Sequence, residues 1–411
     1  MKILVVTQYF WPENFQINQL CNELKIRGHK VTVLTGLPNY PKGEIFSDFS
    51  INPHEFSNYG GIEVIRAKIF PRKSGSKSHL FFNYISFIIS ASIKGFFSLF
   101  LKKKEFDLIF VYEPSPITVC LPAIFLNFFY KKKIVLWVLD LWPDTLDSIS
   151  FFRVKFIKYL MEALSKYIYS RCALVLAQSH SFIKAIEKYC DPKKIIYFPT
   201  WADDVFFTRN EDKSDFYLDK NKFNITFAGN IGFSQDLKLV LQAIKIAVKR
   251  IPNLSLNIFG EGRAKNDLIR EINKLSLSNF IKVHEYLALE DIAKVYQQSD
   301  VLLASLAKDE NFSKTIPAKI QSYLASGKPI LTMMNGEGSN VVSQAQAGLI
   351  SESGDFEKLS ENILMLYSSR QEVRSEMGRH GCDYAKTFFN KDKLINELCE
   401  RFIILNSGDV I

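Results

Sequence analysis

Cysteine is scarce here and never paired: Cys21, Cys120, Cys172, Cys190, Cys382 and Cys399 are scattered through 411 residues. Neither a disulfide framework nor a metal knuckle fits such spacing, so the thiols are expected reduced and mostly buried, as in a cytoplasmic protein. No His, Cys, Asp or Glu cluster has ligand spacing, and no metal is expected. Glycine is missing from residues 8–13, QYFWPE, the loop that follows the first apolar run. A NAD-dependent oxidoreductase or epimerase wants G-x-G-x-x-G there, which argues against that class. A complete signal-peptide core is also missing, because Trp11 and Pro12 break the run in MKILVVTQYFWPEN. The start reads as a buried strand, and nothing else suggests export.

What is abundant is positive charge and phenylalanine: a net charge of +9 and 35 Phe. A basic excess on a globular chain seeks phosphate, whether in a nucleotide, a nucleic acid or an anionic lipid. The phenylalanines tilt this toward lipid, and no motif supports nucleic-acid binding. The length suits two domains.

Residues 3–7 form a short apolar, β-branched run typical of a central parallel strand. A helix follows over 14–27, with Ile17, Leu20, Cys21 and Leu24 on one face and Gly28 as its stop, and then a strand at 31–35. This β-α-β unit predicts a doubly wound sheet with ligands at the carboxyl ends of its strands. The loops 8–15 and 36–43 are therefore placed at a site. Further strands are expected at 108–112, 134–139, 173–177 and 195–198, with helices over 123–130 and 153–170. The second half repeats the architecture: strands at 225–228, 254–259 and 281–284, helices at 237–249 and 265–274, and glycine loops at 229–232 and 260–263. Domains are expected at 1–200 and 223–382, joined by a linker over 201–222, with residues 383–408 as a helix packing back on the first. Two such sheets facing one another create a cleft, where small ligands are usually held.

Residues 80–101, LFFNYISFIISASIKGFFSLFL, are nearly long enough to cross a bilayer. A single crossing would put the strands at 3–7 and 108–112 on opposite sides, although both must join one sheet. A helix lying in the membrane interface is therefore expected, with Lys94, Lys102, Lys103 and Lys104 near the headgroups. A purely buried helix fits the same pattern. A second basic run, Lys131 to Lys133, follows another Phe-rich helix.

The most informative stretch is 300–331, DVLLASLAKDENFSKTIPAKIQSYLASGKPIL. It reads as a strand at 301–304, a polar loop, and a helix with Pro317 in its first turn. A helix starting just after a strand offers free N–H groups and a partial positive charge, a site for phosphate. Lys314 and Lys319 flank that end and would add charge-assisted hydrogen bonds. An ordinary strand-loop-helix unit with surface lysines fits the spacing equally.

Strand, glycine loop, GEGR, SDVLLASL and this helix, in that order, resemble retaining glycosyltransferases of the GT-B fold, in the large family-four group. QYFWPE, LKIRGHKVTVLTGLPNYPKG and LDLWPD look like a narrower branch that builds bacterial O-antigen and capsule polysaccharides, including N-acetyl-L-fucosamine transferases. The resemblance runs nearly end to end. It implies an α/β protein of two doubly wound Rossmann-like domains facing a central cleft. It also implies a UDP-sugar donor without a metal cofactor, and an undecaprenyl-diphosphate-linked saccharide acceptor at the inner face of the cytoplasmic membrane.

Carried onto this sequence, the resemblance assigns the donor to Gly229, Asn230, Gly232, Gln235, Gly260 and Gly262, with Tyr286 on the base. The diphosphate goes to Lys314, Thr315, Ile316 and Pro317. The family's pair of glutamates, eight positions apart, falls here on Lys314 and Ser322, leaving Ser322 and Glu310 for the ribose. Asn230 and Gln235 also stand where a basic loop is common, so Lys319 and Arg263 are expected to steady the leaving diphosphate. Asp140, at a strand end, is expected to orient the acceptor or donor sugar, though a cap on the turn before Trp142 also fits it. Trp11, Glu13, Asn14 and Tyr40 are assigned to the acceptor, and Trp11 and Tyr40 also fit core aromatics. A non-catalytic membrane scaffold of the same fold is the competing class.

Overall fold

The computed structural model describes residues 1–73, 76–145, 155–208 and 218–407. The chain divides into two units, Met1–Pro199 with Asp392–Ile411, and Thr200–Lys391. In the first, apolar runs form a sheet of eight strands: β1 (Lys2–Val6), β2 (Lys30–Gly36), β3 (Asn58–Tyr59), β4 (Ile62–Ala67), β5 (Leu108–Glu113), β6 (Lys133–Val138), β7 (Leu174–Ala177) and β8 (Ile195–Tyr197). Their order is β3-β4-β2-β1-β5-β6-β7-β8, parallel except for the antiparallel β3-β4 edge. Val5 stands opposite Val33 on one side and Phe110 on the other, and all three are fully buried. Burial on both faces explains why these runs are uniformly apolar instead of alternating. The order reverses between β1 and β5, so the loops after those strands diverge and leave a crevice at their carboxyl ends.

The second unit has six parallel strands: β9 (Phe223–Ala228), β10 (Leu254–Phe259), β11 (Ile281–His284), β12 (Val301–Ser305), β13 (Ile330–Met333) and β14 (Gly348–Ser351). They run in the order β11-β10-β9-β12-β13-β14, with the reversal between β9 and β12. Helix Leu237–Ala247 lays Val240, Leu241 and Ile244 on the sheet, spaced for one helical face.

Several expected boundaries move. The helix expected over 80–101 is α-helical over Lys77–Gly95 and continues as a π-helical turn, Phe96–Phe100. The expected terminal helix 383–408 is two helices. Gln371–Phe388 lies in the second unit, and only Lys391–Ser407 contributes to the first, where Phe402 meets Phe110 at 5.9 Å between ring centroids and Arg27 bonds Asp392 at 2.6 Å. Of the expected linker, 209–217 lies outside the described residues. Its start is folded into the second unit, with Ala202 N donating to Phe389 O at 3.1 Å and buried Phe206 stacked on Tyr296 at 5.4 Å. Arg153, the expected start of a helix, also lies outside the described residues, and that helix is described over Lys155–Arg171.

Candidate active site

In the second unit the loops after β9 and β10 are pressed together. Gly229 N donates to Phe259 O at 3.0 Å, and Ile231 N to Glu261 O at 2.8 Å. A Cβ on Gly260 would lie 1.9 Å from Gly229 O, and one on Gly262 would lie 2.3 Å from Ile231 O. Both glycines also hold positive φ, +145° and +158°. Contact between the two loops therefore demands glycine at these positions before any ligand is considered. Asn230 is exposed on the rim, and its amide crowds Gly232.

Helix Ala318–Ala325 begins directly after Pro317, which occupies the capping position one residue outside the first turn where it was expected. Ile320, Tyr323 and Leu324 are fully buried and fix the helix against the sheet, and the Tyr323 hydroxyl accepts from Ala228 N at 3.0 Å and donates to Leu303 O at 3.2 Å. Ala318 and Lys319, first in the helix, have no intrahelical acceptor for their N–H groups. From that turn Lys319 reaches back under the β9 loop. Its Nζ donates to Gln235 Oε1 at 2.6 Å, sits 3.8 Å from the centroid of the Phe227 ring, and would lie 3.5 Å from a Cβ on Gly229. Burial pushes the Lys319 ammonium down to about 7. An amine so placed has little to gain from the apo protein and much from an arriving anion.

The polar loop expected before this helix contains a short helix, Glu310–Lys314, capped by Asp309 through Asn311 N at 2.8 Å. Lys314 pairs with Glu310 at 3.2 Å, so these two expected ligands engage each other. Thr315 Oγ1 donates to Asn311 O, and Ile316 is buried. Ser322 Oγ donates to Ala318 O at 3.3 Å on its own helix. Arg263 and Tyr286 are exposed on the loops after β10 and β11, Tyr286 at 66%.

One segment beside this helix is not among the expected residues: Gly336-Glu337-Gly338-Ser339, after β13. Gly336 (φ +80°) lies so close to Ser313 that a Cβ would fall 1.9 Å from its carbonyl oxygen, and a Cβ on Gly338 would lie 3.0 Å from Pro317 Cδ. The start of helix Glu337–Gln344, with its buried Glu337, thus sits beside the start of Ala318–Ala325. The signal was available, since a glycine-acid-glycine run after an apolar strand also marks 260–262.

In the first unit, Asp140 follows β6 and its two carboxylate oxygens accept from Trp142 Nε1 at 3.1 Å and Thr145 Oγ1 at 2.7 Å. It caps the turn. Beside it, and missed from sequence, is fully buried Glu113 at the end of β5, whose carboxyl is pushed well above the usual range by burial and then by the charge of Asp140. Glu13, expected on the acceptor, is enclosed. Its oxygens accept from the amides of Asn39 (2.8 Å), Tyr40 (2.7 Å) and Phe10 (3.2 Å), and burial pushes its pKa up to about 7 against those bonds. It ties the loops after β1 and β2 together. Trp11 is half-buried and packs on Phe56 at 5.0 Å and Tyr59 at 5.5 Å. Asn14 is exposed, and Tyr40, 40% exposed, groups with Tyr9 and Phe15.

Lys94, Lys102 and Lys103 are exposed, whereas Lys104 is ion-paired with Glu63 and is not available as expected. The alternative of a wholly buried helix fails, because Phe81, Phe82, Ile89, Ile93 and Phe97 are each more than half exposed.

Among the described residues, no three His, Cys, Asp or Glu side chains converge as metal ligands. A cavity of about 120 Å³ adjoins the β9 loop at Ile231, Gly232 and Phe233. A larger one, about 390 Å³ and lined by Asp300, Lys328 and Arg374, lies at the opposite, amino-terminal ends of β12 and β13, away from every group above.

Residues 15–205 match the family described as Glycosyltransferase Family 4, and residues 208–382 the one described as Glycosyl transferases group 1. The chain is 25% identical over 350 residues to the "Putative colanic acid biosynthesis glycosyl transferase WcaI" of Escherichia coli K12, covering 80% of this chain and 82% of that one. Its fold is similar to that of sucrose-phosphate synthase from Thermosynechococcus elongatus (TM-score 0.76, 14% identity, 99% of both chains). It is similar too to HepE of Anabaena in complex with UDP (TM-score 0.69, 13% identity, 98% of this chain and 99% of that). The expected architecture of two Rossmann-like α/β domains is met by the two sheets and by these GT-B neighbours.

Proposed function

Because the chain is a glycosyltransferase, with a Family 4 region in its N-terminal half and a group 1 region in its C-terminal half, we propose that it moves a sugar from a UDP-sugar to a lipid-linked saccharide, with retention of configuration. The observation that carries the donor side is Lys319, brought from the first turn of Ala318–Ala325 to the end of β9 with its ammonium held, among the described residues, by Gln235 and an aromatic face. The diphosphate rests over that helix start, where N–H groups and the ammonium meet its charge, and exposed Arg263 adds a second cation.

In the proposed reaction the bond from the sugar's anomeric carbon to the diphosphate oxygen breaks as the acceptor oxygen bonds the same face of that carbon. The departing diphosphate oxygen takes the acceptor's proton, so no side chain need act as base. The protein's contribution is placement and charge stabilisation. Because Lys319, Arg263 and helix amides supply that stabilisation, transfer persists in EDTA. Asp140, rigidly held by Trp142 and Thr145, acts on the acceptor side by fixing the loop after β6.

An N-acetylated deoxyamino sugar such as L-FucNAc is the proposed cargo, supported by QYFWPE, LPNYPKG and LDLWPD and by the similarity to a colanic acid biosynthesis enzyme. The acceptor is proposed to ride on undecaprenyl diphosphate, with the enzyme peripheral on the inner face of the cytoplasmic membrane. Support comes from the exposed apolar face of Lys77–Gly95 and the exposed lysines Lys94, Lys102 and Lys103 near its end.

The deciding experiment is a thermal-shift panel of nucleotide sugars. A ligand at 100 times its dissociation constant stabilises by about 2.7 kcal/mol, which shifts Tm by several degrees. No shift with any UDP-sugar would end the donor assignment. The scaffold alternative draws support from Ser322, whose hydroxyl is bonded within its own helix where a ribose-holding carboxylate is expected. Slow UDP-sugar hydrolysis separates the two, since a scaffold gives none.

A further inference from the structure

Three loops meet at the carboxyl edge of β1, β2 and β4. Loop 8–15 brings Tyr9 and Phe15, stacked at 5.2 Å, and loop 37–43 adds Tyr40 at 5.2 Å from Phe15. Over this aromatic floor lies Arg72, with its guanidinium carbon 5.7 Å from the Tyr9 ring centroid and 5.3 Å from that of Tyr40. The backbone beneath is fixed: Arg72 N donates to buried Asn39 Oδ1 at 3.2 Å, and Lys73 N to Gly43 O at 2.7 Å. Among the described residues the Arg72 guanidinium meets rings and no carboxylate, so a group that normally takes a bidentate oxyanion keeps that capacity.

The apolar helix face starts at the same place. Lys73 Nζ lies over the Phe70 ring at 5.3 Å, and Phe70 is 5.9 Å from both His79 and Phe82. Buried Asn83 locks the two regions into one body: it donates to Phe70 O at 2.6 Å and accepts from Gln8 Nε2 at 2.6 Å. From Phe82 the exposed face runs on through Ile85, Ile89 and Ile93, one side chain per turn. A rigid cationic head thus adjoins an exposed apolar strip about three turns long, roughly 17 Å.

Resting on the proposal of a lipid-linked acceptor, we infer that Arg72, on its Tyr9 and Tyr40 floor, grips the diphosphate of a polyprenyl diphosphate whose first isoprene units lie on Phe82, Ile85 and Ile89. Charge selects the occupant. An apolar peptide or a neutral prenol leaves the Arg72 and Lys73 cations unmatched, and a free nucleotide leaves the strip bare.

Full-length protein is titrated with geranylgeranyl diphosphate, inorganic diphosphate and geranylgeraniol by calorimetry, each in saturating UDP so that the nucleotide site is occupied. Geranylgeranyl diphosphate should bind at least ten-fold tighter than either fragment alone. Arg72→Ala should weaken it ten-fold or more. Phe82→Ser, at an exposed position where folding is not at stake, should weaken it about five-fold and leave inorganic diphosphate unchanged. Equal affinity for geranylgeraniol, or wild-type binding by both variants, overturns the inference. UDP binding, measured first and alone, reports on the donor assignment, so its loss and the loss of prenyl diphosphate binding are separate outcomes.

Discussion

Lys319 shows how burial prepares a residue. Its ammonium, at about 7, is only partly protonated in the free protein near neutrality, and an arriving diphosphate restores the proton. UDP affinity should therefore be full below pH 7 and weaken as pH rises past it, with net proton uptake on binding that calorimetry in two buffers detects. Lys319→Ala should lower kcat by about 10²–10³, the cost of deleting one donor to a developing anion, and should flatten that pH dependence. Glu113 bears on stability instead. Its folded carboxyl keeps a proton that the unfolded chain releases above about 4.5, so this group makes stability fall as pH climbs from there, by up to about 1.4 kcal/mol per unit. Glu113→Gln, a neutral isostere, should remove that slope in urea titrations without unfolding the protein. Glu13→Ala leaves three amides without their acceptor and should cost about 3 kcal/mol, while leaving the UDP-induced Tm shift intact. From sequence, Asp140 could be placed at a strand end and Glu13 in the loop after β1, which is where the structure has them. Which of their oxygens were already taken depended on Thr145, Asn39 and Tyr40, whose positions only the folded loops supply.

At the scale of elements, periodicity was enough to find the strands and the helix at 318–325, because both rest on apolar residues that repeat regularly. It did not find β3, β4, β14 or the start of Glu337–Gln344, where edge pairing and close backbone contact decide the structure. Helix Lys77–Gly95 was legible as apolar, but only its packing shows that Phe87 and Ala91 face inward while Phe81, Phe82, Ile89 and Ile93 face out. Lys104 looked equivalent to its neighbours until its pairing with Glu63 set it apart. Substituting Lys102 and Lys103 with glutamate should therefore weaken sedimentation with anionic liposomes by more than about 2 kcal/mol, over about thirty-fold, since loss of each lysine alone costs about 1 kcal/mol. Lys104→Glu should act mainly on stability. Equal sedimentation of the double variant and wild type would count against the membrane-facing role.

The whole molecule is two units of unequal continuity. Residues 200–391 form one unbroken segment, whereas the other unit needs residues 392–405 to close its core: Leu394, Ile395, Leu398, Phe402 and Leu405 are all buried. Each such side chain is worth about 1.5–3 kcal/mol, against about 5–15 kcal/mol for a typical domain. A chain ending at residue 390 should thus lose the N-terminal melting transition and keep a C-terminal one that UDP still raises, as scanning calorimetry would record. The sequence places the return helix too early, at 383, because helical periodicity continues across Phe389 and Asn390, where one helix ends just before the chain changes unit at Asp392.

That return has a consequence for biosynthesis. A nascent chain leaving the ribosome exposes residues 1–199 first, yet their sheet lacks its final cover until the last helix emerges. The half made second can settle while the half made first still waits, so order of folding runs opposite to order of synthesis. During that interval Phe110 and its neighbours have no lid, which is when the nascent chain has most need of a chaperone.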